Sequence, residues 1–170
     1  LGAIEAGSGK LTSHGRKMAE IGFHPRLAHM ILMAVPLGLG GLACELAVLL
    51  GERNILRSEG REAQDPDLRL RLDALRSVSL REQSTTGTLL SHNKVDQALC
   101  KRILAEADQW KQRLGISLIR EDNIDSCGLL LAFAYPDRIA QRRAAGRFLL
   151  SGGRGAAFAG MQQLSSAVYL

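Results

Sequence analysis

Aromatic side chains make up only 4% of this 170-residue sequence, and cysteine occurs three times. Scarce aromatic residues combined with abundant Leu and Ala favour helices over an all-β sandwich. The cysteines, Cys44, Cys100 and Cys127, are widely spaced within apolar stretches, which argues against a disulfide framework or a zinc site. We therefore expect a mainly α fold with buried free thiols, as in a reducing compartment.

Motifs that carry catalysis are absent as well. The sequence has no Gly-x-Ser-x-Gly elbow, no Cys-x-x-Cys and no His-Glu-x-x-His. Its four histidines include no pair at the spacing of helical metal ligands, so we expect them to be caps or surface imidazoles. We accordingly expect neither a catalytic residue nor a metal site in this chain.

Two short glycine motifs resemble nucleotide-binding loops but depart from them. Residues 7–10 read Gly-Ser-Gly-Lys, yet Ile4 replaces the leading glycine and Leu11 replaces the magnesium-binding Ser or Thr, so we expect a turn. Residues 38–43 match the dinucleotide fingerprint, which must follow a strand, but the apolar run before them begins at Pro25 as a helix. A nucleotide-binding enzyme built on residues 38–43 is therefore our third hypothesis.

Negative charge is missing from residues 138–170, which contain five arginines and no acid. This segment accounts for the whole net charge of +5, because the remaining residues carry 17 charges of each sign. A concentrated arginine cluster suits phosphate groups, since each guanidinium offers a planar fork of donors. The candidate phosphate contacts are Arg142, Arg143, Arg147 and Arg154, with a second set of Arg16, Lys17 and Arg26. The alternative interpretation is a solvated basic face.

Hydrophobic spacing predicts the order of the elements. We expect a short helix capped at Thr12-Ser13 and running to Met18, followed by helices from 25 to about 35, about 42–50, 66–78, 93–114 and 123–135. The helices at 25–35 and 42–50 are expected to pair as a hairpin. Residues 148–150 and 155–158 predict strands around a glycine turn, and a third strand is expected from Ala167. We expect the strand at 148–150 to have an unpaired edge, and we expect Arg142 and Arg143 to lie at a helix end.

Several stretches resemble a known family. Residues 9–19, Gly-Lys-Leu-Thr-Ser-His-Gly-Arg-Lys-Met-Ala, with His-Pro-Arg-Leu-Ala-His-Met at 24–30, are similar to the pattern that follows the motor domains of DEAH-box helicases. The likeness continues at 42–47, and it points to the bacterial HrpB branch at 67–72, 132–143 and 146–156. The sequence thus resembles the C-terminal helicase-associated region of that branch. Since it begins at Leu1 and not at Met, we expect a segment of a longer protein.

The resemblance implies three regions: the end of a winged-helix domain at 1–24, a helical ratchet-like domain at 25–123, and the truncated start of an OB-like β domain at 124–170. It implies a cytoplasmic, ATP-dependent RNA helicase as the parent protein. ATP and magnesium would be bound by RecA-like motor domains outside this segment, which is expected to be inactive alone. The segment would help to bind and guide single-stranded RNA, or DNA, for those motor domains.

A hypothesis from a different class is a helical module that docks a protein partner through its apolar hairpin and binds no nucleic acid. The aromatic rings near the arginine cluster fit base stacking and core packing equally; they are Phe148, Phe158 and Tyr169. A membrane is not an expected partner, because the apolar run at 27–50 contains Glu45 and a glycine turn.

Overall fold

The computed structural model describes residues 1–58, 61–62, 65–81, 94–118 and 123–170. The helices are α1 (Ser13–Ile21), α2 (Pro25–Ala34), α3 (Gly40–Gly51), α4 (Leu68–Arg81), α5 (Gln97–Arg113) and α6 (Cys127–Ala134). The strands are β1 (Leu56–Ser58), β2 (Arg61–Glu62), β3 (Lys94–Val95), β4 (Ala140–Ala144), β5 (Arg147–Leu150) and β6 (Gly155–Ala157). They form two small antiparallel sheets, ordered β2-β1-β3 and β4-β5-β6. The expectation of a mainly α fold is confirmed.

The chain divides into two compact units. We call the first the split unit, because it combines Leu1–Leu37 with Gly128–Leu170, and the second, Gly38–Cys127, the continuous unit. Helices α2 and α3, which the sequence predicts to pair as a hairpin, fall in different units. The boundaries of these two units differ from those of the winged-helix, ratchet-like and OB-like regions that the family resemblance implies. The division into those three regions stays a prediction.

The first helices of the split unit have clear local causes. The Thr12 hydroxyl accepts a hydrogen bond from the Gly15 N–H at 2.9 Å and so caps α1, which ends at Gly22 in the left-handed conformation. Helix α2 begins at Pro25, where no N–H donor is needed, and the ring of His24 accepts a hydrogen bond from the second helical N–H. The histidine is thus a helix cap, as the sequence predicts.

A tight hairpin precedes α1. Ile4 and Leu11 form a β-bridge across it, and Gly7 adopts a φ of 89° in the turn. The predicted turn at residues 7–10 is therefore confirmed. The carbonyl oxygen of Ala3 lies directly against α1 at Gly15, where a Cβ atom would be only 2.1 Å away. Glycine at position 15 is what permits this close approach of backbone to helix.

The second part of the split unit contains the sheet β4-β5-β6. Strands β5 and β6 confirm the two strands that the sequence predicts around a glycine turn. The unpaired edge predicted at 148–150 is wrong, because β5 is the central strand and pairs with a neighbour on each side. A two-residue connection with Gly146 at a φ of 67° joins β4 to β5.

Strand β4 occupies a position for which no strand is predicted. Helix α6 ends at Ala134, because the proline at position 136 cannot continue an α-helix. Pro136–Arg138 then form a short 3-10 turn. The expected helix end at Arg142 and Arg143 is therefore wrong, and both residues lie on β4.

The segment from Ala167 pairs along the other edge of β4. The Ala140 N–H donates to the Leu170 carbonyl at 2.7 Å, and the Arg142 N–H donates to the Val168 carbonyl at 2.9 Å. Tyr169 forms the intervening antiparallel bridge. The strand that the sequence predicts from Ala167 is thus present as a short paired segment, and β4 is bonded on both sides.

The continuous unit is built around α3. Every residue of this helix from Gly40 to Leu49 is buried, and α3 packs on α5, which in turn packs on α4. The large side chains at the centre include Leu42, Leu46, Leu72, Leu75 and Ile103. All three cysteines of the chain are buried thiols outside any disulfide, as predicted. Helix α3 has 12 residues, and none of the helices within the described ranges combines the length and apolar character that a membrane crossing requires.

An ionic cluster lies inside this unit. Glu45 accepts hydrogen bonds from the Lys111 ammonium at 2.9 Å and from the Arg76 guanidinium at 3.1 Å. The same ammonium also donates to Asp108 at 3.1 Å. The side chains of Glu45 and Lys111 are at most 1% exposed, so the charges are stabilised by one another and not by water.

The structure contradicts the dinucleotide-binding hypothesis. The fingerprint requires a strand directly before its first glycine. In this chain Val35–Leu37, immediately before Gly38, form a 3-10 turn that follows α2. The three glycines instead end one helix and begin the next.

Candidate nucleic-acid interface

Net positive charge belongs entirely to the split unit. This unit contains nine Lys and Arg against three acids, a net charge of +6, and the continuous unit contains 13 against 14, a net charge of −1. All seven residues predicted to contact phosphate lie in the split unit. The structure thus brings the C-terminal cluster and the N-terminal set into one compact body, although they are more than a hundred residues apart in sequence.

The hairpin of β4 and β5 carries three of the predicted arginines. Arg142 lies directly opposite Phe148, and the pairing register shifts between Arg142 and Ala144, so that Arg143 is the extra residue of a β-bulge. Arg147 is the first residue of β5. All three side chains are exposed. Among the described residues none of them forms a side-chain hydrogen bond or an ion pair, so their guanidinium donors are available to a ligand.

The register also shows that the cluster does not converge on one side of the sheet. Arg142 shares the face of its cross-strand partner Phe148, whereas Arg147, one residue earlier on β5, faces the other way. Arg154 follows the glycine turn at the far end of β5 and is also exposed. Because Arg147 and Arg154 lie at opposite ends of β5, about 10 Å of strand separates them. The cluster is therefore a band of cations around the sheet and not a single four-arginine pocket.

The N-terminal set divides into free and engaged cations. Arg16 and Lys17 are exposed on α1, and Arg16 donates to the Leu11 carbonyl at 3.1 Å. Arg26 on α2 forms an ion pair with both carboxylate oxygens of Asp137 and lies over the ring of Tyr135, 5.3 Å from its centroid. The hydrogen bond from Arg26 holds the pKa of Asp137 below its ordinary value. This guanidinium ties α2 to the start of the sheet, which is a structural role.

The aromatic rings near the band separate into core and surface. Phe148 is 3% exposed and packs edge-to-face on Phe158, with ring centroids 5.6 Å apart. Tyr169 is 60% exposed. It lies opposite Gln141, and Gln141 lies opposite Leu149, so the tyrosine shares the sheet face of Leu149 and Arg147. Of these three rings, Tyr169 is the most exposed, and Phe158 is half-buried.

Two features of this unit escape prediction from the sequence. Tyr169 and Arg147 share a sheet face because of strand pairing, and their spacing in the sequence does not indicate this.

His14 and His29 also meet, with 2.8 Å between His14 Nε2 and His29 Nδ1, although they are 15 positions apart. Burial is the main cause that lowers the pKa of His29 below its ordinary value. Within the described ranges, no group of three or more His, Cys, Asp or Glu side chains is arranged to hold a metal ion.

Comparison with solved structures shows that this architecture is similar to part of a DExH/DEAH helicase. Two crystal structures of HrpB from E. coli are similar to nearly the whole chain. One, described as a DExH-box NTPase, has 24% sequence identity and a TM-score of 0.63, and the other, described as a DEAH/RHA helicase, has 25% identity and a TM-score of 0.66. The resemblance to HrpB that the sequence predicts is therefore confirmed.

The alignments cover very different shares of the two chains. Each alignment covers 99% of this chain but only 17% of the HrpB chain, so the chain spans about a sixth of the length of these helicases. No family model matches the sequence, and no curated protein does. The chain thus has the fold of one segment of a helicase.

Proposed function

We propose that the chain is an accessory segment of an ATP-dependent RNA helicase, and that its split unit binds and guides single-stranded nucleic acid. The observation that carries this proposal is the band of exposed arginines on the β4–β5 hairpin, which have no acidic partner among the described residues. Natural surfaces usually intersperse charges of both signs. A unit with nine cations and three acids departs from that balance in the direction that attracts phosphate.

The geometry suits contact with a backbone more than recognition of a sequence. Each arginine fork can bind two phosphate oxygens, and cations spread around a sheet follow a strand that passes over it. Tyr169 adds one exposed ring on the face of Arg147, where a base can stack regardless of its identity. Binding of this kind depends strongly on salt and weakly on sequence.

The finer assignments from the family resemblance belong to the same proposal. Residues 1–24 would complete a winged-helix domain, 25–123 would form the ratchet-like domain, and 124–170 would begin an OB-like domain. The motor domains of the parent protein would bind ATP and magnesium in the cytoplasm, and this segment alone would hydrolyse no ATP. In the small sheet, the pairing of β4, β5 and β6 supports the OB-like assignment without requiring it.

The protein-docking hypothesis loses its main support. It requires an apolar hairpin that offers a free surface, but α3 is buried along its length from Gly40 to Leu49. The apolar residues of α3 form part of the core of the continuous unit, and those of α2 are mostly buried in the split unit, although Met33 and, just after the helix, Val35 and Leu37 are exposed.

The deciding experiment measures the affinity of the chain for single-stranded RNA across a range of salt concentrations. The variant Arg142→Gln/Arg143→Gln removes two free cations from the hairpin. The slope of log affinity against log salt is negative. If each arginine contacts one phosphate, that slope should become shallower by about 1.4, at about 0.7 for each contact. Preference among RNA sequences should stay the same, because phosphate contacts do not read bases.

A matched control removes the same charge elsewhere. Arg53 and Arg102 are exposed in the continuous unit and are paired with Asp96 and Glu52, so Arg53→Gln/Arg102→Gln should leave the slope unchanged. An equal loss in both double variants would reduce the band to a solvated basic face and would overturn the proposal. Tyr169→Ala should weaken RNA binding without altering the salt slope, whereas Tyr169→Phe should retain the original affinity, because its ring can still stack on a base.

A further inference from the structure

Two histidines meet between the first helices of the split unit. His14 is the second residue of α1, and His29 is in the middle of α2. Their nitrogens, Nε2 of His14 and Nδ1 of His29, are 2.8 Å apart, and the rings are nearly perpendicular, at 88°. The rings are half-buried, so solvent reaches them from one side. The proposed binding of nucleic acid makes no use of this pair.

The distance between the two nitrogens matches that of neighbouring ligands on a transition-metal ion. Imidazole nitrogens bind such ions at 2.0–2.1 Å. Two ligands at right angles on one ion, the angle of square-planar Cu²⁺ and Ni²⁺ sites, are therefore about 2.9 Å apart, whereas the tetrahedral angle usual for Zn²⁺ requires about 3.3 Å. To bind an ion, the hydrogen bond that now joins the two nitrogens must break, and both rings must turn so that their lone pairs converge on one point.

The surroundings hold the pair in place. Helix α1 is fixed at its start by the Thr12 cap, and the neighbours of His29 on either side along α2, Ala28 and Met30, are completely buried. Among the described residues, neither ring makes a second hydrogen bond that would have to be broken. Backbone on both sides is thus ordered before any ion arrives, which lowers the entropic cost of binding.

We propose that His14 and His29 form a two-imidazole site for a divalent transition-metal ion such as Zn²⁺, Ni²⁺ or Cu²⁺. Imidazole is a preferred ligand of these ions, and the affinity should follow the order in which Cu²⁺ exceeds the other two. Water would fill the remaining coordination positions, because no third protein ligand is grouped with the pair in the described part of the chain. A bound ion would link α1 to α2, as a clamp between two helices.

Calorimetric titration of the full 170-residue chain with ZnCl₂ and with NiCl₂ tests the site. His14→Gln and His29→Gln should each weaken binding by more than about tenfold, because loss of an outer-shell partner alone costs that much. His24→Gln and His92→Gln, which remove the other two histidines, should bind as the unchanged protein does. Equal affinity in all four variants would overturn the proposal.

A second measurement needs no variant. Diethyl pyrocarbonate modifies free imidazole nitrogens, and mass spectrometry locates the modified residues. Zn²⁺ should slow the modification of both His14 and His29, because a coordinated nitrogen has no lone pair left to react, while His24 serves as an internal reference. Unchanged modification of both residues at saturating Zn²⁺ would show that the pair holds no ion, and this result would overturn the proposal even if the variants fail to fold.

Discussion

The two units of the chain treat their charges in opposite ways. In the continuous unit, cations are matched with acids: Arg69 binds Asp67, Arg102 binds Glu52, and Lys111 binds Glu45 inside the core. In the split unit, Arg26 is the one cation that forms an ion pair within the described residues, and it pairs with Asp137. The arginines of the β4–β5 hairpin project into solvent.

This difference separates the charges that stabilise from the charges that can bind. A paired cation has already exchanged water for a protein partner, and a ligand would have to compete with that partner. An exposed cation without a partner contributes little to stability, but it is free to replace its water with phosphate. Removal of charge should therefore damage stability in one unit and binding in the other.

The largest effect is expected for Lys111→Met in the buried cluster. The substitution leaves Glu45 and Asp108 without the ammonium, and Glu45 is inaccessible to solvent. We expect the free energy of unfolding to fall by about 3–5 kcal/mol. Urea unfolding followed by the fluorescence of Trp110, the single tryptophan of the chain, measures this in the continuous unit.

The double variant Glu45→Met/Lys111→Met provides the control for that measurement. Because it removes both members of the fully buried pair, it should recover part of the stability that Lys111→Met loses, although Arg76 and Asp108 each still lose a partner. If Lys111→Met alone costs less than about 1 kcal/mol, the charge is not sequestered as described. RNA binding should keep the same salt slope under folding conditions, since Lys111 is not part of the hairpin.

A smaller effect is expected for Gly15→Ala in the split unit. The new Cβ would lie 2.1 Å from the Ala3 carbonyl oxygen, so the segment before α1 must move away. We expect a loss of about 1–3 kcal/mol, typical of overpacking. Amide hydrogen exchange in residues 2–21 should accelerate, whereas Ser13→Ala, at an exposed position of the same helix, should leave it nearly unchanged.

A weaker effect should appear as a dependence of stability on pH. Hydrogen bonds from Arg69 hold the pKa of Asp67 below its ordinary value of 3.8. The folded state therefore favours the carboxylate, and its contribution is complete above about pH 4 and is lost as pH falls below that value. Urea unfolding between pH 5 and 3 should show this loss, with a slope below the roughly 1.4 kcal/mol per pH unit of one whole proton. Asp67→Asn should flatten that part of the profile.

The smallest effects should come from surface arginines. Arg53→Gln/Arg102→Gln removes two exposed ion pairs and should cost up to about 1 kcal/mol for each pair. Arg142→Gln/Arg143→Gln removes no partner and should change the free energy of unfolding by less than about 0.5 kcal/mol. If Arg142→Gln/Arg143→Gln loses more stability than Arg53→Gln/Arg102→Gln, the unpaired arginines of the split unit stabilise the fold more than the paired ones of the continuous unit, contrary to the comparison above.

Local signals in the sequence predicted much of the architecture. The proline at position 25 marked the start of α2, and the apolar spacing of α5 indicated where that helix ends, because both are properties of neighbouring residues. The sequence also indicated the strands β5 and β6 through the glycine turn between them. The arginine band was visible as an excess of one charge, and its members are exposed as that interpretation requires.

Features that depend on distant partners were not predictable. Strand β4 is short and polar, with exposed arginines at its centre, and it is a strand because Leu149 and Tyr169 pair with it from both sides. That Arg142 and Arg147 lie on opposite faces of the sheet also follows from this pairing. Asp137 gave no sign of its bond to Arg26, 111 positions away. The start expected at Asn93 for the fourth long helix is wrong, because Lys94 and Val95 pair with β1 as strand β3 and α5 begins at Gln97. Other predictions on residues 82–93 lie outside the described residues.

The interrupted composition of the split unit has a consequence for how the protein is made. Its first 37 residues leave the ribosome long before residues 128–170 exist, whereas the continuous unit is made from one uninterrupted stretch, 38–127. Contacts between distant segments form slowly, because a long loop must close before any of them is gained. We therefore expect the continuous unit to fold first during synthesis. The basic surface would then take shape only after Val168 and Leu170 have been added and have paired with β4.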